Sequence, residues 1–253
     1  MNLIAPLDPI LFGILPYVAF FTFPVATIAR YRVLRYSYSS LSSQFLENRQ
    51  HFWGLVPFHY GILIVLVGHV IGFLIPRQIL VWNSVPLRLY VLEVSALAAG
   101  LLTLVGLVAL VVRRLTSARL QAVTTLTDWI VFALLFLQVA GGVGVAVMYP
   151  WGSSWFAAIA VPYLWSLATF RPDFTVISLL PWLIKLHIAG AFLLIGSVPF
   201  SRLVHILVVP VPYLWRKPQV VRWYRRPARS EQGATHGSGG RVGTGSDRMV
   251  QGI

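Results

Sequence analysis

The sequence has 253 residues, of which 57% are hydrophobic and only 11% charged, whereas soluble domains carry about 25% charged residues. This composition excludes an ordinary water-soluble domain, and the net charge of +13 then reports loop topology rather than nucleic-acid binding. The absence of cysteine excludes disulfides, cysteine-bound zinc, cysteine-bound iron–sulfur clusters and covalently attached c-type haem.

Five apolar segments are long enough to cross a hydrocarbon core of about 30 Å. In chain order they occupy about 10–29, 54–76, 89–112, 128–149 and 181–208. The first has no basic n-region and is followed by YRVLRY rather than a cleavage site, so we expect a retained helix. The sequence predicts an all-α integral membrane protein with a five-helix domain over 1–226. Residues 227–253, rich in Gly, Ser and charge, are predicted to be a flexible tail.

Basic residues are distributed unevenly between the connections. The segments after spans one and three and the chain from Arg202 onward carry 16 Lys and Arg, against 3 after spans two and four. The positive-inside rule then places the N-terminus outside and the C-terminus in the cytoplasm, which agrees with an odd number of spans. The basic run from Arg216 to Arg229 is either a topology determinant or a contact for anionic lipid headgroups or a protein partner.

The segment 150–180 is rich in aromatic residues and proline. It includes Trp151, Trp155, Pro162, Tyr163 and Trp165. Trp and Tyr concentrate where a membrane meets water, so this segment is predicted to lie at the interface or to form a short re-entrant turn.

Four of the six histidines fall within the predicted spans. His59 and His69 are in the second span, and His187 and His205 are in the fifth. An ionisable side chain in a membrane helix usually faces the bundle interior and has a partner, and two on each of two helices favour paired ligation. Because the two spans run in opposite directions, we expect His59 to pair with His205 near the cytoplasm and His69 with His187 near the outside. The two histidines are separated by roughly 15 Å along the second helix and by roughly 27 Å along the fifth, so two separate sites are predicted.

Two nitrogens per site restrict the metal chemistry. Zinc needs three or four ligands, and no carboxylate or third histidine is expected at matching depth in these two spans. A porphyrin supplies four ligands itself, and coordination by two histidines leaves iron with no open position, so such a haem carries electrons. Five nearby glycines would admit a flat macrocycle or let helices pack closely: Gly61, Gly68, Gly72, Gly190 and Gly196.

Haem propionates are anions and favour basic neighbours. The candidates are Arg202, Arg113 and Arg114 at the inner site, and Lys185 or Arg77 at the outer site. Each of these residues is equally explained as an ordinary interfacial cation.

Two long motifs closely resemble the haem-ligating helices of the gamma subunit of respiratory nitrate reductase, a dihaem cytochrome b membrane anchor. They are FHYGILIVLVGHVIGFLIP at 58–76 and PFSRLVHILVVPVPYL at 199–214. SSQFLENR at 42–49 and RLTSARLQAVTTLTD at 114–128 resemble the two cytoplasmic loops of that family. The similarity covers roughly 10–226.

This resemblance implies a multi-pass subunit of the inner (cytoplasmic) membrane that oxidises quinol on the outer side. Electrons would pass through an outer and then an inner haem b to a cytoplasmic iron–sulfur beta subunit and a molybdenum-containing alpha subunit, where nitrate is reduced. By motif, His59 and His205 ligate the inner haem iron, and His69 and His187 the outer haem iron.

The chain departs from the family at the expected quinol site. Well-known members have a lysine after the second helix, whereas this chain has none between 77 and 92. Arg88 lies near that place but does not readily give up a proton. We expect the quinol site around Gly68, His69 and Arg88. Glu93, Asp173 or a haem propionate would accept the proton, although Glu93 is also explained as a carboxylate near a helix N-terminus.

Two alternatives remain open at this stage. A similar dihaem anchor could serve nitrite oxidation or sulfur metabolism. A haem-free transporter or structural anchor could use the histidines as a polar relay or as packing contacts, but this leaves their two-by-two arrangement unexplained.

Overall fold

A computed structural model describes residues 5–33 and 51–207 and is helical throughout, with no β-strand within these ranges. Five of its helices are long and apolar enough to cross a membrane. They are Pro9–Val33, Gly54–Leu74, Pro86–Thr116, Leu126–Met148 and Trp182–Phe200. The predicted all-helical architecture with five spans is confirmed, and the orientation of its termini stays a prediction.

The helices are numbered in chain order. They are α1 (Leu15–Val33, preceded by a π-helical turn at Pro9–Ile14), α2 (His51–Leu74), α3 (Pro76–Asn83), α4 (Pro86–Thr116), α5 (Ala118–Gln121), α6 (Leu126–Met148), α7 (Gly152–Trp155), α8 (Val161–Ala168), α9 (Thr175–Ser178) and α10 (Trp182–Ser197). The predicted 227–253 tail, the basic run beyond Arg202 and the SSQFLENR motif lie outside the described residues.

Prolines set the boundaries between α2, α3 and α4. Ile75 leaves the helical region, and Pro76 then starts α3. Val85 is extended before Pro86, which starts α4. Proline disfavours a helical conformation in the residue before it and suits the first position of a new helix. The third span therefore starts three residues earlier than predicted, and the second ends two residues earlier.

The fifth span departs most from the prediction of one helix over 181–208. α10 ends at Ser197, a 3₁₀ turn follows at Val198–Phe200, and Ser201 is extended before a further 3₁₀ segment at Arg202–Leu207. Pro199 lacks a backbone N–H and obstructs the preceding turn, which stops a regular α-helix here. Arg30 of α1 secures the break by donating to the backbone oxygens of Pro199 and Ser201 at 2.6 and 2.9 Å.

The segment after α6 is a second, shorter layer at one end of the bundle. α7, a π-helical stretch at Phe156–Ala160 and α8 follow one another without interruption from 152 to 168. This helical segment is shorter than the five long spans and packs against α1 and α2. Tyr163 donates to the backbone oxygen of Phe12 at 2.9 Å, and Trp165 stacks on Phe73 with ring centroids 5.1 Å apart.

The long helices pack in the spatial order α2, α4, α6, α10, α1, so α4 and α6 stand between the two histidine-bearing helices in this series. We call the end with Arg30, Arg114 and Arg202 the basic end. We call the end with Trp82 and Trp151 the aromatic end.

Candidate functional site

His59 and His205 lie close together at the basic end, with their ring planes tilted by 59°. Their ring centroids are 6.4 Å apart. Two metal–nitrogen bonds of about 2 Å each, together with the half-widths of two imidazole rings, span about this distance. The pair therefore fits a single metal ion held between α2 and the segment after α10, with the remaining ligands supplied by a macrocycle.

Hydrogen bonds set the orientation of three of the four rings. His59 Nδ1 lies 2.9 Å from Leu55 O, His69 Nδ1 lies 2.8 Å from Val65 O, and His205 Nδ1 lies 2.7 Å from Arg202 O. A carbonyl oxygen accepts from Nδ1–H, which assigns the tautomer whose Nε2 carries the free lone pair. Metal-binding histidines commonly use this arrangement, because it fixes the ring and raises the basicity of the ligating nitrogen.

Asp128 organises the basic end around His205. Its carboxylate forms an ion pair with Arg202 Nε at 3.0 Å and with Arg114 at 3.4 Å. The same carboxylate completes a capping box with Thr125 at the start of α6. Since the backbone oxygen of Arg202 accepts from His205, the start of α6 is linked to this histidine through two contacts.

The predicted propionate candidates at this end therefore already have protein partners. Arg202 also donates to the backbone oxygen of Val123 at 3.1 Å, and the guanidinium of Arg114 lies over the ring of Phe132. Arg113 is buried. Arg202 and Arg114 are linked to His205 through the Asp128 ion pairs and the Arg202 backbone oxygen, and the role of all three arginines toward a propionate stays a prediction.

His69 has a different environment, near the aromatic end. Its side chain is exposed, and its ring lies edge-on to Phe156 with centroids 5.3 Å apart. The adjacent Gly68 faces open space, since a Cβ atom built there meets nothing within 4 Å. A flat group therefore has room to approach the backbone of α2 beside His69.

His187 packs against α6 through Gln138 and Gly142. A Cβ atom on Gly142 would lie 2.8 Å from His187 Cε1, so the missing side chain makes room for the imidazole. Gln138 Nε2 lies 3.5 Å from His187 Nε2, while His187 Nδ1 is buried without a hydrogen-bond partner in the described part of the chain. Neither contact was anticipated from the sequence, although Gln138 is a polar residue in the otherwise apolar interior of α6.

The five predicted glycines divide into two groups. Gly68 alone faces open space. The other four make close packing contacts: Gly61 with Ala99 and Thr103, Gly72 with Phe156, Gly190 with Gln138, and Gly196 with Ala19. Close helix packing, the other explanation given for these glycines, accounts for these four.

Lys185 and Arg77, the two cations predicted near the outer haem, have different surroundings. Lys185 is fully buried and its Nζ lies 2.7 Å from Asp8 Oδ2, so it forms an ion pair that joins the start of α10 to the chain before Pro9. Arg77 and Arg88 line a cavity with Trp82, and the Arg88 guanidinium lies 5.1 Å from the Trp82 ring.

Contacts between α2 and α4 show which residues are level with His69. Gly61 meets Ala99 and Thr103, Gly106 meets Phe58, and the two helices are antiparallel. His69 is eight residues past Gly61 and comes level with about Glu93. The backbone of Arg88 then lies about 7.5 Å further toward the aromatic end, and its guanidinium contacts Trp82. The role of Gly68, His69 and Arg88 toward quinol stays a prediction.

The two candidate proton acceptors, Glu93 and Asp173, both accept hydrogen bonds from the protein itself. Glu93 accepts from the backbone N–H groups of Gly152 and Ser153 and from the Ser153 hydroxyl, which anchors the start of the 152–168 segment. The hydroxyl and backbone N–H of Thr175 donate to Asp173, and these hydrogen bonds hold the pKa of that carboxyl below its usual value. A lowered pKa makes Asp173 a weaker proton acceptor.

Comparison with known proteins identifies the family of this chain. The model of the family described as "Nitrate reductase gamma subunit" matches residues 8–224. The chain is 33% identical over 221 residues to the respiratory nitrate reductase 1 gamma chain of Escherichia coli, covering 85% of this chain and 97% of that protein. It is 31% identical over 216 residues to the nitrate reductase gamma chain of Bacillus subtilis, covering 84% and 97% respectively.

A longer protein contains a similar region. The nitrate reductase-like protein NarX of Mycobacterium tuberculosis is 29% identical over 216 residues, which is 80% of this chain and 32% of that protein. The matches to the two gamma chains extend over nearly their full lengths, and the family match includes all five long helices and His59, His69, His187 and His205. His205 was predicted to lie within the fifth span, but the structure places it just beyond the end of that span at Phe200, after the break at Pro199. The chain belongs to the nitrate reductase gamma subunit family.

Proposed function

We propose that this chain is the quinol-oxidising membrane subunit of a respiratory nitrate reductase complex and holds two haem b groups. The observation that carries the proposal is the His59–His205 pair, with ring centroids 6.4 Å apart and both Nδ1 atoms held by backbone oxygens. Its family membership supports the same assignment.

His59 and His205 would hold the inner haem, and His69 and His187 the outer haem. When bound, the two haems would supply a one-electron path across the membrane, because coordination by two histidines leaves iron no position for substrate. The protein's part is to hold the four imidazoles in place, which it does through backbone oxygens at three of them.

The basic end would face the cytoplasm and the aromatic end the outside of the inner membrane, as the distribution of Lys and Arg favours. Quinol would be oxidised beside Gly68 and His69, where the helix surface is open, and its protons would leave on the outer side. Arg88 would contact quinol only if the molecule extends toward the aromatic end. Glu93 would shape this site by holding the 152–168 segment over α2.

The partners would be an iron–sulfur beta subunit and a molybdenum-containing alpha subunit on the cytoplasmic side. The gamma chains of Escherichia coli and Bacillus subtilis are named as nitrate reductase chains, which supports assembly with other subunits of that enzyme. This chain would pass electrons to them, and nitrate would be reduced on the partner.

A dithionite-reduced minus oxidised spectrum of the purified chain, with haem stoichiometry, tests the proposal. We expect two haems b, and one haem in each of the His69→Ala and His205→Ala variants. His236→Ala, a histidine outside the predicted spans, is the control and should retain both. A folded chain without haem would contradict the proposal.

Quinol oxidation needs a separate measurement. A reduced quinol analogue added to membranes containing the chain should reduce both haems. In His69→Ala, we expect this reduction to slow strongly while dithionite still reduces the remaining haem. Unchanged quinol-driven reduction in His69→Ala would contradict entry of electrons at the outer haem.

A further inference from the structure

Gln138 is a polar residue in the apolar interior of α6 and lies against His187 of α10. Its Nε2 is 3.5 Å from His187 Nε2. Two other atoms of this contact, Gln138 Oε1 and His187 Nδ1, are buried and have no hydrogen-bond partner in the part of the chain that the structure describes. A buried acceptor and a buried ring nitrogen left without partners are costly, so their presence in one contact calls for a physical reason.

Two glycines shape the space around this contact. Gly142 leaves room for the imidazole, since a Cβ atom there would lie 2.8 Å from His187 Cε1. Gly190 leaves room for the amide, since a Cβ atom there would lie 2.6 Å from Gln138 Oε1. Side chains at these two positions would therefore push the imidazole and the amide out of their present places.

The other three histidines show what His187 lacks. Each has Nδ1 held by a backbone oxygen three or four residues earlier in its own helix. An imidazole that binds a metal through one nitrogen needs an acceptor for the N–H of the other. The unpartnered oxygen of Gln138 is an acceptor of that kind, and it comes from a neighbouring helix.

We propose that Gln138 is a positioning residue for the outer haem: when His187 Nε2 turns from the Gln138 amide to iron, Gln138 Oε1 accepts a hydrogen bond from His187 Nδ1–H, so that the two unpartnered atoms satisfy each other. This inference rests on the proposed function, because it assigns His187 as a haem ligand. Gln138 contacts neither the iron nor the substrate and acts through the imidazole.

The hydrogen bond has a definite effect on the haem. An acceptor on the second N–H makes the imidazole a stronger donor to iron, which favours the oxidised over the reduced metal. Removing the acceptor should raise the midpoint potential of the outer haem, and replacing it with a carboxylate should lower it. We expect a change of about tenfold in the ratio of oxidised to reduced haem at a fixed potential, which is about 59 mV for one electron.

Potentiometric titration of both haems in the purified chain tests the inference. The variants are Gln138→Leu and Gln138→Glu. The outer haem is identified as the one that His69→Ala lacks. Gln121→Leu is the matched control, because Gln121 lies in α5 at the basic end and donates to the backbone oxygen of Leu115. The inner haem should keep its potential in all three variants.

The outcomes separate a positioning role from simple packing. A higher outer potential in Gln138→Leu and a lower one in Gln138→Glu supports the inference. If Gln138→Leu loses the outer haem, its retention in Gln138→Glu at a lower potential supports it as well. Unchanged potentials in both variants, or loss of the outer haem from both, would overturn it. A wild-type chain without haem would instead refute the proposed function.

Discussion

The two histidine pairs have the same residue types, and each pair has one member on α2, yet their surroundings differ. At the basic end, His59 and His205 lie close together with ring centroids 6.4 Å apart, and backbone oxygens hold both Nδ1 atoms. Toward the aromatic end, His69 lies against Phe156, and His187 lies against Gly142 and Gln138 of α6. The first pair is arranged for a ligand by its own helices, whereas the second depends on side chains from neighbouring elements.

This difference shows that the histidines alone do not determine a site. Local hydrogen bonds orient His59, His69 and His205 within their own helical segments. His187 has instead been packed against another helix, where its orientation depends on Gln138. Substitutions in the neighbouring elements should therefore affect the His69–His187 pair more than the His59–His205 pair.

The largest effect is expected from Asp8→Asn. This change leaves Lys185, which is fully buried, without its ion-pair partner at 2.7 Å, two residues before His187. Removing one member of a buried ion pair costs about 3–5 kcal/mol. We expect the free energy of unfolding, measured in mixed detergent micelles, to fall by this amount, and the outer haem to be lost before the inner one.

The double variant Asp8→Asn with Lys185→Met is the control for this change. It removes both charges, so much of the lost stability should return. An Asp8→Asn chain that unfolds like the original would show that this ion pair does not support the second histidine pair.

Gly61→Ala and Gly68→Ala should have opposite outcomes on the same helix. A Cβ atom at Gly61 would lie 2.7 Å from the Thr103 backbone nitrogen and 2.8 Å from the Ala99 oxygen, so α2 and α4 must separate. Overpacking of this kind costs about 1–3 kcal/mol. Gly68 faces open space, so an alanine there should leave the unfolding free energy of the haem-free chain unchanged.

Comparison of the haem-free and haem-loaded chains sharpens this test. If Gly68 borders a macrocycle, Gly68→Ala should weaken the outer haem's binding while leaving haem-free stability unchanged. Equal haem affinity in Gly68→Ala and the original chain would remove Gly68 from the site.

A smaller effect is expected at the basic end from Asp128→Asn. The change weakens the ion pairs with Arg114 and Arg202, and hydrogen bonds to charged groups contribute about 1.5–3 kcal/mol. Because both arginines are partly exposed, we expect a loss of about 2 kcal/mol in unfolding free energy and a change in the inner haem spectrum alone.

Thr125→Ala is the matched variant, since it removes the other half of the capping box but keeps both ion pairs. Loss of such a cap costs about 1 kcal/mol. If Thr125→Ala alters the inner haem as much as Asp128→Asn does, the effect comes from the helix start and not from the link through Arg202.

Much of the fold could be predicted because hydropathy and helix length follow directly from the sequence. The first four long spans were located within four residues at each end, and the fifth ends eight residues earlier than predicted. A kink at Pro199 within one span over 181–208 was predicted, whereas the regular helix ends at Ser197, because a hydropathy pattern continues across a proline that interrupts the helix. The π-helical and α-helical path of 152–168 depends on contacts with Phe12 and Phe73, which no local pattern reveals.

Part of the site could be predicted as well, because the positions of the charges and histidines also follow directly from the sequence. Charge topology predicted that His59 pairs with His205, and the structure places those rings together. His187 was predicted to pair with His69, but its contacts with α6 were not predicted, because the sequence does not say which helix packs beside α10. Only the packing of α6 on α10 identifies Gln138 and Gly142 as its neighbours.

The most direct test of this account compares haem affinity at the two histidine pairs. Haem would be titrated into haem-depleted His69→Ala, which retains the His59–His205 pair, and into His205→Ala, which retains the His69–His187 pair. The account predicts that His69→Ala binds its haem at least about tenfold more tightly, or about 1.4 kcal/mol. Equal affinities, or tighter binding by His205→Ala, would contradict it.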